Sequence, residues 1–563
     1  MAEKETRWQI SPPIPESVAT ALNSYFPIFQ QILYNREITS LEQAEEFLHA
    51  GYPPHSQTEL LGTREAVSRI GQALQAGEKI AVYGDYDADG VTATALMLQT
   101  LNALNADVRS YIPNRFTEGY GLNSTALDKL RADGVSLVVT VDCGIRAVQQ
   151  SEHAAEIGID LIVTDHHTPG ADLPRALAII NPKQPDDPYP EKVLAGVGVA
   201  YKLAKALIEE FNPPGLLPED LLDLVAIGTV ADLVPIVGEN RALVREGLRY
   251  IRTPRRQGIV SLLGVIGTNP AKVDASTIGF GIGPRLNAAG RIGSAQDALN
   301  LLTAADIRTG AEFAQVLDNR NRERQRITRE IQEQSDVLSG PQEADTYLLF
   351  SYHPDFNPGV VGLAASKLVE EHYLPAVVGF HGEDFTRASC RSIPEFHITH
   401  ALDQCSDILE QYGGHAAAAG FTVLNKHLDE LAHRLHQIAR EQLKDIQLTP
   451  SLSADAVVRL KQLDPALLKE IEMLEPTGQN NRSPLFVSYK VDVRGARTVG
   501  KDKSHLKLIL TQDGITFDAI AFRFGHLVHE IPGQIDILYA FEMNEFNGRQ
   551  TLQLNIKDLK FAW

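Results

Sequence analysis

The sequence predicts a multidomain α/β protein. It reads as a parallel-sheet α/β domain, a long connecting helix, a second α/β domain and a C-terminal β-barrel. Three observations carry this. From about residue 60, short apolar runs (KIAVYGD, DVRSYIP, LVVTVDCG, DLIVTDHH, ALAIINP) alternate with helix-like segments such as VTATALMLQTLNAL, the pattern of a parallel sheet covered by helices. From about Thr303 to Ser339 a charged stretch has almost no Gly or Pro after Gly310. After about residue 450, five β-rich runs follow, with the hairpin signals QDG and FNG between runs.

Taken in order, residues 1–55 read as a helical lead-in, with SLEQAEEFLHAG as a short helix ending at Gly51. Residues 56–302 form the first α/β domain and end in helical segments that include YKLAKALIEEF and EDLLDLVAIGTVADLVPIV. Residues 303–340 form the connecting helix. The plain reading of its arginine run is a solvated face; the sharper one puts Arg322, Arg324 and Arg326 along a phosphate-tracking groove. Residues 341–448 form the second α/β domain, with strands TYLLFSY and PAVVGF and then helices. Residues 449–563 form the barrel, for which an OB-fold is one candidate and other five-stranded barrels match as well.

Composition narrows the function classes. The 563 residues are 44% hydrophobic and 22% charged, as in ordinary globular chains. No long charge-free apolar run suggests a membrane span, and MAEKETRWQISPP has no apolar signal core. Three cysteines without CxxC spacing (Cys143, Cys390, Cys405) suit a reducing cytoplasm. A cytoplasmic protein with no membrane partner is expected. The net charge of −20 argues against a uniformly basic nucleic-acid binder. It is a poor guide to a local groove, and metal-binding carboxylates also make the total negative.

Asp85, Asp87 and Asp89 in GDYDADG follow the run KIAVY. An EF-hand reading fails, because position 12 of that loop is Leu96. Asp142 ends the run LVVTV, and Asp165, His166 and His167 end LIVT. Ligands of open α/β sheets bind at the carboxyl ends of strands. One such aspartate is commonly a turn former or helix cap; three strands delivering acids and imidazoles to one edge point to chemistry. Asp232 in GTVADLVP is a further candidate. Hard carboxylates with one or two imidazoles suit Mn²⁺ or Mg²⁺. Their mutual repulsion makes two ions the natural count, as in two-metal phosphate hydrolysis.

GDYDADG, VDCG, TDHH and GTVADLVP, in this order, resemble the DHH phosphoesterase superfamily, most closely the RecJ family of bacterial single-strand-specific exonucleases. GFGIGPRLNAAGR (279–291), NPGVVGLAASKL (357–368), CRSI (390–393), GGHAAAAGF (413–421) and EPTGQNNRSPLF (475–486) extend the resemblance over nearly the whole chain from about residue 60. It implies a DHH domain, a connecting helix, a DHH-associated domain and an OB-fold. The implied activity is Mn²⁺- or Mg²⁺-dependent 5′-to-3′ degradation of single-stranded DNA to mononucleotides in repair and recombination. The implied partners are single-stranded DNA, a single-strand-binding protein and a helicase.

Carried over residue by residue, Asp87, Asp89, Asp142, His166 and Asp232 are the implied metal ligands, with Asp142 bridging. Asp85 is a ligand or lies just behind one, and His167 faces the phosphate. Some superfamily members keep a histidine where this chain has Tyr83. In the glycine-rich stretch, Arg285, Asn287 and Arg291 are expected to meet substrate, Arg binding phosphate bidentately; the bland alternative is a surface loop. Ser389 and Arg391 are expected to cap the 5′ end. His415 is read as phosphate-facing, against a core histidine in tightly packed helices. In the barrel, Lys501, Lys503, His505 and Lys507 cluster in sequence, and Phe522, Phe524 and Phe546 are stacking candidates, although small-barrel aromatics are more often core. Asn480 and Asn481 depart from the family's usual linker pattern.

Three other readings compete. A phosphodiesterase of short oligonucleotides or cyclic dinucleotides belongs to the same superfamily but generally lacks the barrel. A non-catalytic DNA-binding scaffold would lack metal ligands, and the central aspartates are all present. A pyrophosphatase needs neither the extra domains nor the barrel.

Overall fold

The computed structural model describes residues 6–49, 56, 59–340, 345–546 and 548–561, the Phe546 side chain excepted. The chain divides into two compact units. One comprises residues 54–234 and 239–448, the other residues 1–53, 235–238 and 449–563.

The first unit is built on a five-stranded parallel sheet in the spatial order Asp107–Tyr111, Lys79–Gly84, Val135–Val141, Asp160–Thr164, Ala178–Ile180. All five strands coincide with the apolar runs. The inner strands lack alternation because the sheet is covered on both faces: Ile80, Ala81, Val82, Leu137, Val138 and Val139 are fully buried. Register does the functional work. Gly84 pairs with Val141, and Val141 with Thr164, so these strands end level. The next residues, Asp85, Asp142 and Asp165, emerge side by side.

The connecting helix is the 32-residue Ile307–Leu338. It starts where Asp306 accepts the Thr309 N–H at 2.9 Å. Ile327 and Ile331 pack it against Val361, Ala365 and Leu368 of the second α/β domain.

That domain differs from the sequence reading. Its five-stranded sheet runs Leu409–His415, Ala418–Leu424, Phe385–Arg391, Ala376–His381, Leu349–His353. Three of these strands lie where helices were expected. GGHAAAAG is no helix: it is a hairpin turning at Ala416 and Ala417. Alanine favours helix, but Gly414 has φ +151°, and a Cβ there would stand 2.5 Å from the Ala419 Cα. Only glycine permits that strand contact.

The second unit is a closed five-stranded barrel. Phe486–Val499 pairs in turn with His505–Gln512, then Ile515–Ala521, Arg549–Phe561 and Gln534–Phe546, which closes back onto Phe486–Val499. The lead-in belongs to this unit instead of standing alone. Strand Arg7–Ile10 pairs with Ser451–Ala454, and Leu22, Phe29, Ile32 and Leu33 share a core with Phe486, Leu506, Leu508 and Tyr539. The predicted helix is present as Leu41–His49; its expected stop at Gly51 lies outside the described residues. No described helix is long and apolar enough to cross a membrane.

Candidate active site

The site grows from the level strand ends. Asp87 caps the helix Ala88–Ala103, its carboxylate accepting from the Asp89 and Gly90 N–H groups, both at 3.0 Å. Asp89 is buried, and its two oxygens accept N–H bonds from Gly196 (2.7 Å) and Val197 (2.9 Å) at the start of the helix Gly196–Phe211. That helix end holds an anion that the protein supplies itself. Asp142 has φ +61°, a left-handed conformation that aspartate tolerates better than most residues. Its N–H still bonds the Thr164 carbonyl at 3.0 Å, so the side chain turns away while the backbone stays in register. Gly196 is required here: a Cβ would stand 2.3 Å from Asp142 Oδ1. Asp232 follows the helix Leu222–Ala231.

Asp85, Asp87 and Asp142 each bring a ligand-type atom within 4.8 Å of the others'. So do Asp89, His166 and Asp232, and likewise Asp142, His166 and His167. Asp142 belongs to two of these groups, as a bridging ligand must. His166 Nε2 lies 3.2 Å from Asp142 Oδ1, 3.6 Å from Asp232 Oδ2 and 4.0 Å from Asp89 Oδ2. Asp85 Oδ1, Asp142 Oδ1 and His166 Nε2 are buried without hydrogen-bond partners. Burial and then Asp87 push Asp89 up to about 7 and Asp85 well above the usual range. Burial and then Asp89 push Asp232 up to about 9 and Asp142 well up. Burial, with His167 beside it, takes His166 down to about 4. Orphaned acceptors, crowded carboxylates and a neutral imidazole fit divalent cations.

Asp165 is not among the clustered groups; it organises them. One oxygen accepts from the N–H groups of His166 (2.7 Å) and His167 (3.1 Å) and from His167 Nδ1 (2.7 Å), and the other from the Ile145 N–H (2.9 Å). Burial works to raise this carboxyl, but the His167 bond and charge hold it below its ordinary value. The same bond raises His167 against the effect of burial. Tyr83, where some relatives keep a histidine, faces elsewhere: it is buried, donates to the Gly121 carbonyl at 3.0 Å and stacks on Tyr111.

Beside the cluster lies a cavity of about 130 Å³ lined by Ala231, Gly279, Asn287, Arg291 and Arg324, among others. Burial, then Arg115 and Arg324, take Arg291 down to about 10, a sign of converging guanidiniums. Of the arginine run only Arg324 lines this cavity; Arg322 pairs with Asp318 and Arg326 with Glu330 on an exposed face. Arg115, in a loop at the same sheet edge, went unnoticed in sequence although the strand-end rule covers it.

One expectation changes, and a second gains a competing role. Arg285 is not free for phosphate: it holds the buried Asp318 through Nε (2.9 Å) and Nη2 (2.8 Å) and donates to the Gly281 carbonyl (2.8 Å). Asn287 Oδ1 accepts from the Ala88 N–H at 2.8 Å, so this atom steadies the aspartate loop. Ser389 and Arg391 share the strand Phe385–Arg391, close to Gly362. A Cβ on Gly362 would stand 3.3 Å from Ser389 Oγ and 3.1 Å from Arg391 Nη2. His415 is exposed at the hairpin tip, which excludes the core-histidine alternative.

In the barrel, Phe522 is exposed with its ring against His505, Phe524 packs on the core, and the Phe546 side chain lies outside the described residues. Lys507 pairs with Asp518, and Lys501 and Lys503 are exposed. Asn481 is a buried tie, donating to the Leu474 and Pro476 carbonyls.

Comparison with known proteins matches this layout. Residues 79–229 match the DHH family, N-terminal domain; residues 345–441 match the DHHA1 domain, and 454–558 the RecJ OB domain. The chain is 39% identical to the single-stranded-DNA-specific exonuclease RecJ of Bacillus subtilis, over 99% of this chain and 71% of that one. It is 35% identical to the RecJ of Salmonella typhimurium, over 95% and 96%. The chain belongs to the RecJ family. Thermus thermophilus RecJ in complex with Mn²⁺ superposes with a TM-score of 0.84 at 30% identity, covering all of this chain and 80% of that one. A second structure of that RecJ, in complex with Mg²⁺, gives 0.78 at 28% identity. The barrel is therefore the RecJ OB domain, and the first α/β domain is the DHH domain of this family.

Proposed function

We propose that this protein is a divalent-metal-dependent exonuclease that degrades single-stranded DNA from the 5′ end to mononucleotides. The observation that carries the proposal is the convergence of Asp85, Asp87, Asp89, Asp142, His166 and Asp232 beside an arginine-lined cavity, with unpartnered ligand atoms at its heart. Asp85, Asp87 and Asp142 would hold one ion, and Asp89, His166 and Asp232 with Asp142 the other. Two such ions, Mn²⁺ or Mg²⁺, supply an activated water and neutralise the phosphate.

The chain's own residues do the rest. Arg291 and Arg324 offer the phosphates charge and hydrogen bonds. Ser389 and Arg391, close to Gly362, receive the 5′ end. Asp165 can only accept, so His167 donates to it through Nδ1; Nε2 is then the nitrogen left to take up a proton and give it to the leaving oxygen. The OB domain holds the strand that trails behind. The domain limits of the sequence reading serve as working boundaries, with residues 1–53 assigned to the barrel unit. A cytoplasmic setting in repair and recombination follows from the substrate, with a single-strand-binding protein and a helicase as partners that present it.

The test is digestion of a long single strand labelled in turn at each end. Early mononucleotide release from the 5′ label alone, abolished by chelator, is the expected result. Cleavage confined to dinucleotides or cyclic dinucleotides overturns it in favour of a short-substrate phosphodiesterase. Binding without cleavage under any metal overturns it in favour of a scaffold.

A further inference from the structure

His167 has a task that demands a fixed orientation, yet its side chain is 45% exposed. Asp165 fixes one nitrogen, and a single hydrogen bond leaves the ring free to rock about it. Its ring neighbours are His166, with centroids 4.5 Å apart, and Tyr120, 6.0 Å apart and edge-on.

Tyr120 reaches this place on a strap between strand Asp107–Tyr111 and helix Ser124–Ala132. The strap is pinned at both ends. On one side the Glu118 carboxylate accepts from the Asn114 N–H (2.8 Å) and from the Tyr111 hydroxyl, and the Glu118 N–H bonds the Asn114 carbonyl (2.8 Å). On the other, Tyr83 donates to the Gly121 carbonyl and accepts from Asn123 Nδ2, both at 3.0 Å. Tyr83 thus anchors the strap. Gly119 and Gly121, both at φ +80° with open space around them, bracket Tyr120. Conformation, not crowding, requires glycine there. Tyr86, from the aspartate loop, closes the row: it meets Tyr120 edge-on at 6.4 Å and carries Arg115 over its face at 4.8 Å.

We propose that Tyr120 is a positioning residue, whose ring, held by this pinned strap, fixes the His167 imidazole toward the substrate phosphate. The ring acts, not the hydroxyl. The Tyr120 oxygen is 3.4 Å from a His167 Nδ1 that already meets Asp165 at 2.7 Å, and the shorter contact dominates. The proposal rests on the exonuclease reading for its consequence, and on geometry alone for the ring contact.

Both parts are tested in the full-length protein. For Tyr120→Ala, kcat on single-stranded DNA falls about tenfold, because a loosened catalytic group loses its alignment. KM and the Mn²⁺ concentration for half-activation stay within about twofold, and Tyr120→Phe restores the rate. In a His167→Ala background, Tyr120→Ala costs nothing further. Equal losses in both backgrounds, or a Phe variant as slow as the Ala variant, overturn the proposal. The second readout needs no turnover. In Mg²⁺-loaded protein, the downfield Nδ1–H proton resonance that His167→Ala removes is expected in the wild type and Tyr120→Phe, and lost to exchange in Tyr120→Ala. Its persistence in Tyr120→Ala overturns the ring contact. If the wild type degrades no DNA, the functional reading fails while this resonance still judges the strap.

Discussion

His166 Nε2 and Asp142 Oδ1 lie 3.2 Å apart, buried, and neither has a hydrogen-bond partner. Two unsatisfied buried groups at that separation share a missing third party, and a cation that both ligate supplies it. Asp142→Asn keeps the volume, and asparagine also tolerates the left-handed backbone. Loss of several kcal/mol of transition-state stabilisation is expected to slow hydrolysis about a thousandfold. In chelator the variant should melt above the wild type, because one of the repelling carboxylates is gone. Single-turnover assays and calorimetry check the two halves. A variant with unchanged turnover sinks the ligand assignment.

The same crowding sets a pH dependence for the metal-free protein. An unfolded aspartate ionises near 4, whereas Asp89 is pushed up to about 7 and Asp232 to about 9. Both folded values are raised, so folding retains protons that the unfolded chain has released. This contribution is fully present below about pH 4 and is lost as pH rises through about 7 and then about 9. The melting temperature in chelator is expected to fall behind that of the Mg²⁺-loaded protein by a margin that widens from pH 5 to pH 9. A margin constant across that range would contradict the repulsive cluster.

The parallel sheet and its acidic edge were legible because they rest on local signals. Strands buried on both faces are written as unbroken apolar runs, and the residue after each run is a ligand candidate by position alone. Asp85 and Asp142 needed nothing more, whereas His166 stands second after its run, behind Asp165, which accepts the His166 N–H and the His167 Nδ1–H. The hairpin at GGHAAAAG was not legible, because alanines argue for helix and the deciding contact, Gly414 against Ala419, joins two strands. The place of the lead-in was hidden for a related reason: Phe29 and Ile32 pack against residues more than 400 positions away. Arg285 and Arg291 look alike in GFGIGPRLNAAGR. Only the buried Asp318, on a helix 33 residues later, tells the clamp Arg285 from the cavity-lining Arg291.

That difference separates two arginine variants. Arg285→Ala leaves Asp318 buried with only Arg322 to face it, so a loss of about 3 kcal/mol in urea unfolding is expected. Its KM for single-stranded DNA should stay within about threefold. Arg291→Ala is expected to do the reverse: little change in stability, a KM about tenfold higher, and a salt dependence of binding shallower by about one phosphate contact. Titrations at several salt concentrations and unfolding curves for both variants decide it. A steeper KM effect at Arg285 than at Arg291 would restore the sequence-based expectation for both.

Asn287 offers the most selective probe of how the site is built. Its Oδ1 holds the Ala88 N–H at 2.8 Å, between Asp87 and Asp89, while the residue also lines the arginine cavity. A substrate contact and a brace for the aspartates predict different losses. Removing a group that orients metal ligands typically costs ten- to a hundredfold in metal affinity. Asn287→Ala is therefore expected to raise the Mn²⁺ concentration for half-activation about tenfold, while KM for DNA at saturating Mn²⁺ changes less than about twofold. Asn287→Asp should retain the hydrogen bond and recover most of the Mn²⁺ affinity, since a carboxylate oxygen accepts from the Ala88 N–H as well as an amide oxygen does. If the alanine variant instead needs more DNA and no more Mn²⁺, Asn287 belongs to the phosphate-binding set with Arg291, and the aspartate loop is held without it.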